Sequence, residues 1–476
     1  MNGFIKHAFS ALVFFLSIYV SYYNFKKYKA DTTNARRKLI TFFWFIFAVF
    51  VFIVYLLIPI LSGIGETPGA NVTEEPSGFD YAVIKNQGAL AFIQDGTLQV
   101  LDGSTGRLNK INTEGAAMRP KWSHDGQWLA YLVVNEQNRD NGRLWMVKRD
   151  GTDPHLVLGL PEASRYGIYE WSPTENVLAV SGQGIWLVSE QGQPKQMLKT
   201  GTPDNTPGIA WSSDGRQIAY SITLPYTRAE LENRSDALYT LNISTGQTVE
   251  RITTPAAGIW LVGWWSDNQG ILYWVDPGHG ASVAADGLEL FSLPLGANEP
   301  FRFAAGPTNP RWLSLAADDR LLRVAGSGRQ LWTNKWLEIC DIKTGNTARV
   351  NSAQGSVPAD PSFSPDAQQI AYVAAPDLGS EYPGLEKFKD WTKSFTLWIA
   401  STDGSGARPL PKAGKSIQNP QWSKDGKYIM YMDDNYLWMI DVQGNERHRI
   451  AGPFSTDDQT DYYYASGSEA WVWYRG

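Results

Sequence analysis

The sequence predicts an all-β fold: an eight-bladed β-propeller of four-stranded antiparallel blades, with seven blades as the alternative, preceded by a two-helix transmembrane hairpin. Three observations predict it. A unit made of an aromatic residue, a tight polar turn and a short apolar strand recurs along the chain after residue 78; self-similarity at a period of about 40 to 60 residues marks propellers and solenoids. The chain holds 20 tryptophans, many at matching places in that unit, where stacked sheets need large apolar wedges. Two apolar runs stand ahead of the repeats, each about long enough to cross a bilayer.

The chain opens with a short tail, 1–7, and the first apolar run, 8–25, interrupted only by Ser and Tyr. Segment 26–38, KKYKADTTNARRK, then places six Lys/Arg between the two runs, against Lys6 alone before them. The second run, 39–64, has no charge over 26 residues and as a helix would extend roughly 39 Å, enough to span with tilt. No small-residue cleavage site follows the first run, so it reads as an anchor rather than a signal peptide. The basic loop belongs in the cytoplasm by the positive-inside rule. Both termini, and everything after 64, are then expected outside the cell (plasma) membrane. Residues 65–78, GETPGANVTEEPSG, have the composition of a flexible linker.

The repeats occupy 79–450. Their landmarks are Trp122-Ser-His-Asp-Gly126, Trp171-Ser-Pro-Thr, Trp211-Ser-Ser-Asp-Gly215, Trp265-Ser-Asp-Asn, Phe363-Ser-Pro-Asp and Trp422-Ser-Lys-Asp-Gly426. An apolar strand follows each: WLAYL, VLAVS, QIAYS, ILYWV, QIAYV and YIMYM. A third strand carries its own aromatic, as in LWMVK or LWIAS, and a weaker fourth follows. Two worn copies complete eight units: one around Trp312 and LLRVA, and one in 83–92 without its Trp. Strand alternation lets Trp122, Leu129 and Tyr131 share a face. Asp-Gly suits a tight hairpin, because Gly tolerates positive φ and Asp bonds its own backbone. Asp125, Asp214, Asp366 and Asp425 are accordingly turn residues, and His124 sits where other copies have Pro, Ser or Lys. The tail 451–476 contains EAWVWY, a candidate ring-closing strand; 79–84 is the alternative first inner strand.

The pattern W-S-x-D-G-x-x-I-A-Y, followed by a strand of L-W-x-x-D type, resembles the TolB-type, WD40-like propeller repeat over about residues 80–450. The resemblance implies the fold. It implies no function, because one repeat type serves many roles. No α/β domain precedes the repeats as in TolB, and no G-x-S-x-G nucleophile elbow occurs.

Composition narrows the partners. Residues 1–64 hold seven Lys/Arg and one acid, which leaves 35 Lys/Arg against 47 Asp/Glu, a net charge of −12, on the rest. An acidic body argues against nucleic acid. The lone cysteine, Cys340, excludes a disulfide framework and reads as a small core residue. Five scattered histidines show no ligand spacing, so no metal, cofactor or catalytic residue is assigned.

Long insertions fall between second and third strands: 135–142, 223–236, 276–287, 327–335 and 374–396. In a meander these connections emerge on one face, together with the blade-to-blade connections, and loops that grow on a rigid scaffold carry binding. The candidate binding residues are Tyr226, Arg228 and Glu230 in one insertion and His279 in another. Tyr382, Lys387, Lys389 and Trp391 lie in the longest, where 385–392 is expected to form a short amphipathic helix. The expected function is a membrane-tethered scaffold that binds a protein, peptidic or glycan partner through this face. The alternatives are a lyase- or hydrolase-type enzyme with its site at the central channel, and a membrane sensor.

Overall fold

The computed structural model describes residues 70–72, 78–135, 138–160, 163–164, 168–200, 208–280, 285–454 and 470–476. The chain divides into two compact units, Met1–Thr67 and Pro68–Gly476. The tail, the two apolar runs and the basic loop lie outside the described residues. Among the described residues no helix is long and apolar enough to cross a membrane.

Eight antiparallel sheets follow one another, each a meander. The inner strands of blades two to eight are Ala116–Trp122, Tyr169–Trp171, Gly208–Trp211, Gly258–Trp264, Leu313–Leu315, Ser356–Phe363 and Ile417–Trp422. The second strands run behind them and are buried on both faces, as in Trp128–Asn135, where Leu129 and Tyr131 pack fully buried in the cluster with Trp122 while Ala130 and Leu132 are fully buried in the cluster on the other side. Apolar clusters fill the gaps between successive blades, so each blade buries its faces only against its neighbours.

Blade one is assembled from distant parts of the chain. Its innermost strand is Trp471–Tyr474, paired antiparallel to Ala89–Gln94 with Ala89 opposite Tyr474 and Phe92 opposite Trp471. Thr97–Asp102 and Arg107–Ile111 follow, and Ala70–Val72 adds a fifth strand at the outer edge. Tyr81–Ile84 is a 3-10 helix, not an inner strand. The ring therefore has eight blades and closes through the C-terminal segment. Three residues of the expected linker are in strand conformation, which corrects a wholly flexible reading of 65–78.

The turn after each inner strand explains its sequence. In the best copies the Ser hydroxyl donates to the Asp two residues on, at 2.7 Å for Ser123–Asp125 and 2.6 Å for Ser364–Asp366. The same Asp accepts the backbone N–H two residues further, at 2.9 Å from Gln127 and 3.1 Å from Gln368. Between them the chain needs a left-handed residue: Gly126 has φ 66°, and Asn268, Asp319 and Ala367 take the same place at φ 63°, 65° and 53°.

That last regularity corrects two alignments. In blade five the wedge is Trp264, whose Nε1 donates to the Ala210 carbonyl at 3.0 Å, while Trp265 stands where other copies have Ser. In blade six the turn is Ala316–Ala317–Asp318–Asp319 and the aromatic position is filled by Leu315. Trp312 belongs to the preceding 3-10 helix Pro310–Trp312 and packs in the cluster shared with blade seven. The insertion at 135–142 is mostly strand: Trp128–Asn135 and Asn138–Lys148 continue toward each other, and Ala163–Ser164 pairs with Asn141 and Gly142.

Candidate functional site

The second-to-third connections of blades four to seven form one interlocked crown. Blade four's insertion contains the 3-10 helix Arg228–Asn233, closed by a capping box in which Glu230 accepts from Thr227 N and Oγ1, both at 2.8 Å. Its far end meets blade five: His279 Nε2 lies 2.7 Å from the Arg234 carbonyl. Blade five meets blade six through Arg329, whose Nε and Nη2 donate to the two oxygens of Asp286 at 2.7 and 2.8 Å, and through Gly328 N to Asp286 O at 2.7 Å. Blade six meets blade seven through Trp332, whose Nε1 donates to Gly379 O at 3.1 Å and whose ring meets Tyr382 and Phe388 edge-on at 5.9 and 5.5 Å.

Lys335 organises the blade-six insertion from within. It is 5% exposed, and its ammonium donates to the carbonyls of Ser327, Gly328, Gln330 and Thr333 at 3.0 to 3.4 Å. Burial pulls its pKa down to about 8, against the raising effect of the Asp377 charge.

The sequence-derived candidates separate into two groups. Tyr226, Arg228, Tyr382, Lys387 and Lys389 are exposed, Tyr382 at 65%. Lys389 pairs with Glu386 at 3.1 Å, one turn earlier on the helix Leu385–Thr392. Glu230, His279 and Trp391 are occupied structurally. The Glu230 carboxylate, held below the usual carboxylate range by Thr227, is a cap. His279 joins two loops. Trp391 is 3% exposed, donates to Pro376 O at 2.8 Å and packs on Phe388 and Phe395. It anchors the helix, and a partner cannot touch it without lifting that helix away. The crown's exposed apolar residues are Tyr226, Leu231, Tyr382 and Leu385.

The inner strands, and the 3-10 helix that leads into blade six's, contribute a second set that the repeat pattern concealed. Blades two and three place Lys121 and Glu170 in an ion pair. Trp260 of blade five remains 39% exposed. In blade six, Arg311 Nε and Nη2 and Asn309 Nδ2 are buried with no partner among the described residues, and in blade seven Asp360 Oδ1 is in the same condition. No sound signal for Arg311 stands in the sequence: Pro310-Arg311-Trp312 looks like the Pro-x-Trp of Pro120-Lys121-Trp122 and Pro420-Gln421-Trp422, but Trp312 is not the wedge of its blade, so Arg311 does not take the place of Lys121 and Gln421.

Two grooves lie at the opposite ends of the strands, near the outer rim. One, of about 980 Å³, is lined by His155, Leu158, Glu190 and Pro194, the other, of about 280 Å³, by Asp102, Arg149 and Asp150; both share Trp128 and Lys148. The Lys148 ammonium sits over the Trp128 ring at 5.2 Å, which fills that aromatic face. Cys340 is fully buried and its thiol is pushed up to about 12 by burial, so it has no nucleophilic role. Among the described residues no group of His, Cys, Asp and Glu is placed to hold a metal ion.

No protein-family model matches the chain, and no curated protein matches it in sequence. Solved structures do match in fold. Dipeptidyl peptidase 4 of Porphyromonas gingivalis is 10% identical with a TM-score of 0.54, over 82% of this chain and 61% of that one. A prolyl endopeptidase is 8% identical with a TM-score of 0.49, over 72% of this chain and 51% of that one. TolB of Acinetobacter baumannii is 17% identical with a TM-score of 0.34, over 70% of this chain and 77% of that one. The chain thus spans between half and two thirds of the two peptidases, and the likeness to the dipeptidyl peptidase, at 10% identity, bears on the propeller fold alone.

Proposed function

We propose that this protein is a membrane-tethered, extracytoplasmic recognition module that binds a protein partner through the crown of blades four to seven. The observation that carries this reading is the locking of each crown insertion to the next by directed contacts: His279 to Arg234, Arg329 to Asp286, and Trp332 to Gly379. Loops ordered in advance lose little freedom on association. Exposed Tyr and Leu among mixed charges are the usual chemistry of an interface centre. The tether rests on the sequence of 8–64, two uncharged apolar runs around a basic loop.

The test is partner capture by the full chain in detergent, comparing the native sequence with Tyr382→Ala/Leu385→Ala. Both residues are exposed, at 65% and 57%, so the ring survives their removal. Leu158→Ala, outside the crown at 69% exposure, is the control. Partners lost in the double variant and kept in the control support the reading; unchanged recovery from the double variant overturns it. Protease added to intact cells tests the topology, and full protection of the propeller would contradict it.

One observation favours a second reading, an enzyme with its site at the channel: Arg311 and Asp360, on adjacent inner elements, both carry polar atoms unused by the described protein. Turnover of peptide or glycoside substrates that is lost in Arg311→Gln would select it.

A further inference from the structure

We infer that the Asn309–Arg311 turn, at the crown-side mouth of the channel, binds a carboxylate presented by a ligand with an adjoining apolar group; as the contact point of a crown-bound partner, it rests on the recognition reading.

Arg311 lies on the 3-10 helix Pro310–Trp312, which links blade five's outer strand to blade six's inner strand. Blade-to-blade links emerge on the same side as the crown insertions. Asn309 caps the turn by accepting from Arg311 N at 3.0 Å and is itself 5% exposed. Three N–H-bearing atoms are therefore fixed within three residues: Arg311 Nε, Arg311 Nη2 and Asn309 Nδ2, all buried and without an acceptor among the described residues.

The identity of those atoms specifies the ligand. Guanidinium stays charged at any ordinary pH, and a buried charge without a counter-charge is costly. Nε and Nη2 form one edge of the guanidinium, the edge that meets a carboxylate through two parallel hydrogen bonds. Other arginines of the interior already have a counter-charge. Arg323 donates Nε and Nη2 to Oε2 of Glu338 at 2.9 and 2.6 Å, and the half-buried Arg447 donates Nη1 to Oδ2 of Asp433 at 2.8 Å. Among the described arginines, Arg311 alone has buried nitrogens left over.

The surroundings limit the ligand's charge and shape. The turn packs against Ser356–Phe363, which carries Asp360. Asp360 spends Oδ2 on Asn419 N at 2.7 Å and forms no ion pair with Arg311. A carboxylate so placed, on an acidic body, disfavours a dianionic phosphate. On the neighbouring blade, Trp260 lies two residues from the crown-side end of the inner strand and is 39% exposed, and the ligand's apolar group is assigned to it. A peptide C-terminus with an apolar last residue combines both features.

The experiment is calorimetric titration of the full chain in detergent with N-acetylphenylalanine, N-acetylphenylalaninamide and inorganic phosphate. Saturable binding of the acid, with the amide at least about tenfold weaker, is the expected result, since loss of a charge-assisted pair costs about that much or more. Arg311→Gln should weaken the acid at least about tenfold, and Asn309→Ala, which keeps the guanidinium, by a smaller factor. The second variant keeps the test alive if the first does not fold. Equal affinity for acid and amide, tighter binding of phosphate, or an unchanged affinity in the variants that fold would overturn the inference. The recognition reading fails separately: Tyr382→Ala/Leu385→Ala removes partner capture and leaves acid binding intact if both are right.

Discussion

The Trp171 indole donates to the Lys121 carbonyl at 2.9 Å, and Lys121 immediately precedes Trp122, the equivalent wedge of the blade before. The same step recurs round the ring. Trp122 donates to Val472 O at 3.2 Å, Trp211 to Glu170 O at 2.9 Å, Trp264 to Ala210 O at 3.0 Å and Trp422 to Ser362 O at 3.1 Å. Each acceptor is the residue just before the previous blade's aromatic. The tryptophan thus both fills the gap between two blades and fixes their height relative to each other.

Phenylalanine should keep the filling and lose the tie. Trp422→Phe leaves the Ser362 carbonyl without its donor, a cost of about 1–3 kcal/mol; Trp422→Ala adds a cavity, for about 3–5 kcal/mol. Blade seven has a Phe at this place, and there the tie to the blade before comes from the main chain: Phe363 N donates to the Ser314 hydroxyl oxygen at 3.1 Å. Urea denaturation of the three proteins measures the difference, and equal midpoints for the native chain and Trp422→Phe would mean the hydrogen bond contributes nothing.

The turn aspartates make the ring acid-sensitive. The Ser212 hydroxyl holds Asp214 below the usual carboxylate range, and the Ser364 hydroxyl does the same for Asp366. A folded pKa depressed below the unfolded one gives stability that is present above the unfolded value, near 3.8, and lost as pH falls through the folded value. Asp214→Asn should therefore flatten the acid limb of the stability curve by lowering the midpoint at neutral pH, so that the two proteins converge as pH falls through the folded value. An acid limb as steep as the native one would show that the shift does not exist.

Much of this was legible in the sequence because the turn chemistry repeats. Ser, Asp and Gly recur with fixed roles, so blade number and loop face follow from spacing. The slips came where another side chain took over a role. Trp265 next to Trp264 hid a one-residue offset, and Trp312 drew attention from Leu315, because a tryptophan looks like a wedge wherever it stands. Helix 385–392 was readable from its apolar spacing, but not that Trp391 points into the core, since aromatic content alone does not distinguish an anchor from a contact. Arg311 was hidden for a different reason: its property is a missing acceptor, which belongs to three-dimensional surroundings.

The Lys335 ammonium holds four carbonyls at a cost, and its sign can be tested. Burial lowers its pKa to about 8 from 10.5. Between those values the unfolded chain binds more protons, so this group makes stability rise with pH there, and that gain is lost as pH falls through about 8. Lys335→Met should abolish that rise. It should also leave the carbonyls of Ser327, Gly328, Gln330 and Thr333 without a shared donor, loosening the loop that carries Arg329 and Trp332. Unfolding midpoints across pH 8 to 10.5 for the two proteins decide the matter; parallel curves would refute it.

The seam between the first and last blades is closed on both sides. Inside, Trp471–Tyr474 completes blade one. Outside, Ala70–Val72 pairs with Arg107–Ile111 of blade one, and a few residues later Gly78 and Asp80 dock on blade eight's outer strand, Arg447–Ala451. Asp80 N donates to Arg449 O at 2.9 Å, Arg449 Nε and Nη2 donate to Gly78 O at 3.1 and 3.0 Å, and His448 Nδ1 lies 2.7 Å from Asp80 Oδ2. The guanidinium carbon of Arg449 sits 5.1 Å from the rings of both Phe79 and Tyr436. A chain that straps both blades from outside should resist their separation. Arg449→Ala removes the two donors and the cation–π contacts, for about 1–2 kcal/mol. If the strap and the inner strand act together, amide exchange should quicken at 471–474 and 89–94 and stay unchanged in blade four. Faster exchange confined to 78–80 would show that the inner strand alone holds the ring shut.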